Sequence, residues 1–213
     1  MTFFIALTFS SDSLHYQKID SFRRRFDSKY WKGPILQLSL LPPFRVSKPA
    51  LRSLMNTLSD EIENHMQDLT EVRDVHFGGI DFTTGKKSTL FLMPQMPIDL
   101  IHCSEALLDI ICDHGGSLKK RRVYKGDYSS ETERVFLPIG RFHDPFLTEA
   151  AVETARCEFP NEFSLRADSI TLFEITASGW SPVRKLFTFS PDLDNLWEES
   201  IGFGMHAPLL ARG

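Results

Sequence analysis

Gln37 and Ser39, on either side of Leu38 in the stretch QLSLLPPF, are the residues whose types and spacing most suggest chemistry. Side chains alternate along a strand, so the amide and the hydroxyl share one face while Leu38 and Leu40 share the other. Gln offers donors and an acceptor and Ser one of each, which equips the pair to hydrogen-bond a phosphate or a carbonyl, or to be an ordinary polar pair on a half-buried strand. A second set lies in FLPIGRFHD. Arg141, after Gly140 at a strand end, is placed either to clamp a phosphate bidentately or to make a surface ion pair. His143 carries an imidazole able to move protons near neutrality, against a capping or surface role for His143-Asp144-Pro145.

Other strings carry less. His102-Cys103-Ser104 falls within a helical pattern, where the three side chains diverge. Cys112-Asp113-His114 with His102 lacks a fourth ligand at zinc spacing, so no metal and no cofactor is expected. The segment KKRRVYKGDY mixes Lys119, Lys120, Arg121, Arg122 and Lys125 with Tyr124 and Tyr128, the composition of a nucleic-acid contact or of a solvated loop. Arg23, Arg24 and Arg25 read as the wet face of an amphipathic helix, and His76 as a half-buried, hydrogen-bonded strand residue.

These residues need elements to hold them. Residues 3–9 are apolar with β-branched and aromatic types, and the Ser10-Ser11-Asp12 cluster stops a strand and offers a helix cap. Ile19, Phe22 and Phe26 follow at helical spacing, and the strand carrying Gln37 ends at Pro42-Pro43, which cannot donate to a ladder. Leu51, Leu54, Met55, Leu58, Ile62 and Met66 form one stripe of a second helix, with Pro49 in its first turn. A strand pair over 72–82 and 86–93, a helix stopped by Gly115-Gly116, a strand over 134–142, a helix over 145–159, and strands over 169–175 and 183–189 complete the order. The two halves each contain a strand that turns directly into a helix. The expected class is therefore α+β: two pseudo-symmetric lobes, each an antiparallel sheet with helices on its outer face, around a central groove. Residues 1–190 form one bilobal domain and 191–213 a tail that packs through Trp197 and Phe203.

Eighteen phenylalanines among 213 residues favour a well-filled core. A formal net charge of -4 supplies no overall basic field, so a nucleic-acid partner would need a local patch. Three cysteines without CxxC spacing point to a reducing compartment. The first residues lack the charged start of a secretory signal, and no apolar run approaches the roughly 18 residues of a membrane span. The expectation is a cytoplasmic monomer with no membrane association.

Four segments, FFIALTF, LQLSLLPPF, FLPIGRF and LFEITASGWSPVRKLFTF, occur in an order that resembles the 2H phosphoesterases, the superfamily of 2'-5' RNA ligase-like proteins and cyclic phosphodiesterases. The resemblance implies two His-x-Thr/Ser motifs, one per lobe, flanking a phosphate. Here the first reads Gln37-Leu38-Ser39 and the second Phe136-Leu137-Pro138. In the chemistry that the resemblance implies, one imidazole takes a proton from the attacking group and the other gives one to the leaving oxygen. Gln does not titrate, and Phe has no proton to move. Loss of one such group costs about 10²- to 10⁴-fold, so losing both leaves a groove that binds phosphate but hardly turns it over. Three readings follow. The first is a catalytically degenerate relative holding a nucleotide or RNA end through Gln37, Ser39 and Arg141, with stacking on Phe136 or Phe142 and His143 nearby. The second is an active 2',3'-cyclic phosphodiesterase or RNA ligase-like enzyme using His143. The third is a non-catalytic scaffold that binds protein.

Overall fold

The computed structural model describes residues 1–66, 73–83, 88–95, 98–118 and 136–189. The basic segment from Lys119 to Tyr128 and the tail with Trp197 and Phe203 lie outside them. Strands β1 (Thr2–Phe9), β2 (Gln37–Ser39), β3 (Phe44–Arg45), β4 (Asp74–Thr83), β5 (Ser88–Gln95), β6 (Ser117–Leu118), β7 (Leu137–Phe142), β8 (Phe163–Ile175) and β9 (Trp180–Thr188) alternate with helices α1 (Leu14–Phe26), α2 (Lys48–Met66), α3 (Ile98–Asp113) and α4 (Pro145–Glu158). A 3-10 turn, Tyr30–Lys32, lies between α1 and β2.

The strands pair antiparallel in the order β6-β3-β1-β8-β4-β5-β7, with β2 also on β1 and β9 also on β8. β8 makes one curled sheet out of two halves. Its residues Phe163 to Arg166 pair with β4, and Ala167 to Ile175 pair with β1. At the junction the register slips between Thr8 and Phe9, so Asp168 bulges. A bulge bends a strand and increases its twist, which lets one long strand serve both halves. The halves are thus not the first and second halves of the chain: β1, β2 and β3 join the C-terminal part of β8 and β9, while β4 and β5 join β7.

The helices form on the apolar stripes, but α1 is capped by Ser13, the residue after the expected Ser10-Ser11-Asp12 cluster. Ser13 accepts the Tyr16 N–H at 3.0 Å to start α1, and Asp144 accepts the Phe146 N–H at 2.9 Å to start α4 with Pro145 in its first turn. Leu54, Leu58 and Ile62 of α2 and Leu100, Cys103, Leu107 and Ile111 of α3 are fully buried at three- and four-residue spacing. Gly115, with φ +71°, follows α3 where a Cβ would be strained.

One face of the sheet packs on these helices. Phe3, Ile5, Leu7 and Phe9 of β1, Leu38 of β2 and Ile170 and Leu172 of β8 enter one core with α1 to α4, as do Val75, Phe77, Leu90, Leu92, Leu137 and Ile139 from the other half. The opposite face of the β1 half holds a small separate cluster, Phe4, Ala6 and Phe173, with Ile35 and Trp180 packed on it. Phe4 stacks on Phe173 at 5.1 Å, and Trp180 meets Phe4 edge-on at 6.5 Å. The helices thus cover one face of the curled sheet, and this smaller cluster lies on the other.

Candidate functional site: the groove between β2 and β7

Leu38 points into the core, so its neighbours Gln37 and Ser39 point to the groove face. Their register partners on β1 are Thr8 and Ala6, and these in turn pair with Ser169 and Thr171 of β8. Cross-strand partners share a face, so Gln37, Ser39, Thr8, Ser169 and Thr171 form one polar surface. On β7, Leu137 and Ile139 enter the core and leave Phe136 and Pro138 on the opposite side. The Phe136 ring lies 4.7 Å from that of Phe91. β2 and β7 approach one another with Cα atoms within 8 Å. Gln37 and Ser39 on β2 and Phe136 and Pro138 at β7 thus belong to strands that approach one another, and none of the four carries a group that ionises near neutral pH.

The polar wall is densely bonded within itself. The hydroxyls of Thr8 and Ser169 are 2.7 Å apart, and those of Ser169 and Thr171 2.9 Å. Thr8 Oγ1 also donates to the Ser169 carbonyl or to Asp168 at 3.2 and 3.3 Å. Lys185 of β9 donates to Asp168 at 2.9 Å. Burial pushes the Asp168 carboxyl up, but hydrogen bonds from Lys185, Ser169 and Thr8 and the Lys185 charge outweigh it and hold it below the usual carboxylate range. A cleft of about 390 Å³ opens over this wall, with Ile35, Phe173 and Pro182 as its apolar sides. Ser39 donates to the Leu41 carbonyl at 2.8 Å, which commits its proton to its own chain. Gln37 differs: its Oε1 is enclosed and has no hydrogen-bond partner among the described residues. A buried acceptor without a donor costs about 1–3 kcal/mol.

Arg141 is not held open toward the groove. Its Nη1 donates to Asp27 Oδ2 at 2.7 Å, with Asp27 fully enclosed and the Arg141 side chain 24% exposed. Asp27 also accepts the Lys29 N–H at 3.0 Å and lies 3.8 Å from Arg23 Nε. Arg23, expected on a wet helix face, is buried instead; its guanidinium donates to the Pro34 and Gly33 carbonyls at 3.0 and 2.9 Å. Burial lowers the Arg23 pKa, and Asp27 opposes that shift. Together with the Ser28 N–H donated to the Arg141 carbonyl, this network ties the end of α1 to β7 and to the loop entering β2. Phe142 is 5% exposed within the core, so its ring does not face the groove, whereas His143 is exposed beyond the end of β7.

The remaining candidates are scattered. On α3 His102 is exposed, Cys103 is buried and Ser104 donates to the Leu100 carbonyl at 2.7 Å. Burial pushes the Cys103 thiol up to about 12, which keeps it protonated and inert. His114 bonds the Ile110 carbonyl through Nδ1, and His76, expected half-buried, is exposed. Among the described residues no cluster of His, Cys, Asp or Glu is arranged to hold a metal ion, and no helix is long and apolar enough to cross a membrane. Reading the sequence missed Thr8, Ser169, Thr171 and Lys185. The alternation Phe4, Ala6, Thr8 against Phe3, Ile5, Leu7 was the signal for the first; the others depend on the Asp168 bulge, which no local pattern announces.

Among solved structures the chain is similar to Kluyveromyces marxianus Usb1, at 13% identity over 85% of this chain and 96% of that one, with a TM-score of 0.46. It is also similar to E. coli LigT, solved in complex with ATP, at 11% identity over 89% of this chain and 98% of that one, with a TM-score of 0.41. No protein-family model matches the chain, and no curated protein does. At this identity the likeness concerns the chain path, and the chemistry must be read from the residues in place.

Proposed function

We propose that the groove between β2 and β7 binds a phosphate-bearing ligand, a nucleotide or an RNA end, and does not turn it over. The observation that carries this reading is the unpartnered Gln37 Oε1 beside a wall of hydroxyls, in a groove whose four motif positions hold no proton shuttle. Lys185 brings an ammonium to the cleft that an incoming phosphate would share with its Asp168 partner, and the Thr8-Ser169-Thr171 chain can turn a terminal proton outward to an anionic oxygen. Gln37 Oε1 then accepts from a ribose hydroxyl or base N–H, relieving its own lack of a donor. Arg141 supports the site by fixing β7 through Asp27 and leaves direct phosphate contact to Lys185. Ser39, its proton used on Leu41, contributes lone pairs.

Thermal unfolding with a 2',3'-cyclic nucleotide tests the reading. At a hundred times the dissociation constant, a ligand that binds only the native state adds about 2.7 kcal/mol, which raises Tm by roughly 5–10 °C in a chain of this size. The rise should vanish in Gln37→Leu and shrink in Lys185→Met. No rise with any nucleotide at millimolar concentration, or a rise that both variants retain, overturns it.

A further inference from the structure

Trp31 is the most exposed large apolar residue among the described ones, at 84%, yet the turn that carries it is tightly held. Arg23 binds the carbonyls of Gly33 and Pro34, Asp27 receives the Lys29 N–H, and Trp180 lies so close to Gly33 that a Cβ there would sit 1.7 Å from the indole. Gly179 packs against the Lys32 carbonyl, where a Cβ would come within 2.0 Å. Beneath Trp31, Tyr30 is 4% exposed, bonded to Asp20 and Arg24 and meeting the Trp31 ring edge-on at 5.0 Å. A rigid turn that holds an indole in water loses little further freedom when a planar partner stacks on it. The residues exposed around it are Ser28, Lys29, Lys32 and Pro34, so cations flank the ring where an apolar protein partner would call for apolar neighbours. The turn is tied to β7 through the Ser28 N–H donated to the Arg141 carbonyl, and four residues beyond Trp31 the chain reaches Ile35, which lines the cleft, before entering β2 at Gln37.

We infer that Trp31, with Lys29 and Lys32, is a stacking platform for a base of a single-stranded oligonucleotide whose end occupies the groove. Base stacking on an aromatic ring with flanking cations on the backbone is the chemistry of strand binding without sequence preference. This rests on the groove reading and extends it from a mononucleotide to a strand.

The test measures two affinities: that of fluorescein-labelled octauridylate by anisotropy, and that of uridine 2',3'-cyclic phosphate by thermal shift. Trp31→Ala should weaken the oligonucleotide about fivefold to a hundredfold and leave the cyclic nucleotide and the ligand-free Tm unchanged. Trp31→Phe should keep most of the affinity, and Lys32→Gln should reduce the salt slope of oligonucleotide binding by about 0.7. Unchanged oligonucleotide affinity in Trp31→Ala overturns the platform while the cyclic-nucleotide shift leaves the groove reading standing. An equal loss for both ligands also overturns it as a separate subsite, and so does Trp31-dependent self-association without oligonucleotide binding. If neither ligand binds the unmodified chain, both the platform and the groove reading fail.

Discussion

Replacing Asp27 by Asn removes one charge from the most enclosed ionic network in the described structure. The Asp27 side chain is 0% exposed, and its partners Arg23 and Arg141 are 4% and 24% exposed at 3.8 and 2.7 Å. Asn keeps the shape and an acceptor for Arg141 or the Lys29 N–H, so the loss is chiefly electrostatic. Two guanidinium groups then face each other without an anion, one of them buried. Removing one partner from a buried ionic group costs about 3–5 kcal/mol, because the charge left behind has already been stripped of water. With a urea m-value of roughly 3 kcal/mol/M for a chain of this size, the midpoint should fall by about 1 to 1.7 M with m unchanged. Arg141→Met should cost less than Asp27→Asn, since Asp27 keeps Arg23 and the Lys29 N–H. The double variant should cost less than the sum of the two, a coupling that reports direct contact. A midpoint shift below about 0.3 M for Asp27→Asn, or strict additivity, would refute the claim that this network locks β7 to the loop before β2.

Gly179→Ala places a Cβ 2.0 Å from the Lys32 carbonyl at a φ of +148°, so it should cost about 3 kcal/mol or more and lower Tm by roughly 6–12 °C; a change under 2 °C in calorimetry would contradict the packing of that turn. For Asp168 the folded pKa lies below its ordinary value, so its ion pair with Lys185 adds stability above about pH 4 that is lost as pH falls through the depressed value. Because the Asp168 side chain is 40% exposed, Lys185→Met should cost less than about 1 kcal/mol at pH 7, and that cost should shrink steadily as pH falls below about 4, as read by urea unfolding across an acid series; a cost that does not shrink with pH would assign the loss to packing.

Much of the scaffold is legible in local pattern. The apolar, β-branched and aromatic run over 3–9, the stripe from Leu51 to Met66, and the Asp144-Pro145 start of α4 each follow from one element's own composition, periodicity or cap, and all three form. What local pattern hides is partner choice. β3 and β6 are two residues long and exist only because they pair with each other and with β1. β8 begins at Phe163, six residues before its predicted start, because the Asp168 bulge breaks the alternation that would have revealed a single strand. Arg23 reads as solvated beside Arg24 and Arg25; its burial depends on the Gly33 and Pro34 carbonyls arriving from a loop that its own helix spacing cannot specify. Gln37 and Ser39 share the face that alternation demands, whereas the fate of their hydrogen bonds depended on neighbours from β1 and the turn at Leu41.

A time course of ³¹P NMR on a 2',3'-cyclic nucleotide mixed with the purified chain reads the groove's two properties in one spectrum. Binding without proton shuttles predicts a cyclic-phosphate resonance that shifts or broadens as protein is added and then persists unconverted for hours. A phosphomonoester signal growing in proportion to protein, or a cyclic resonance that the protein leaves untouched, would contradict the account.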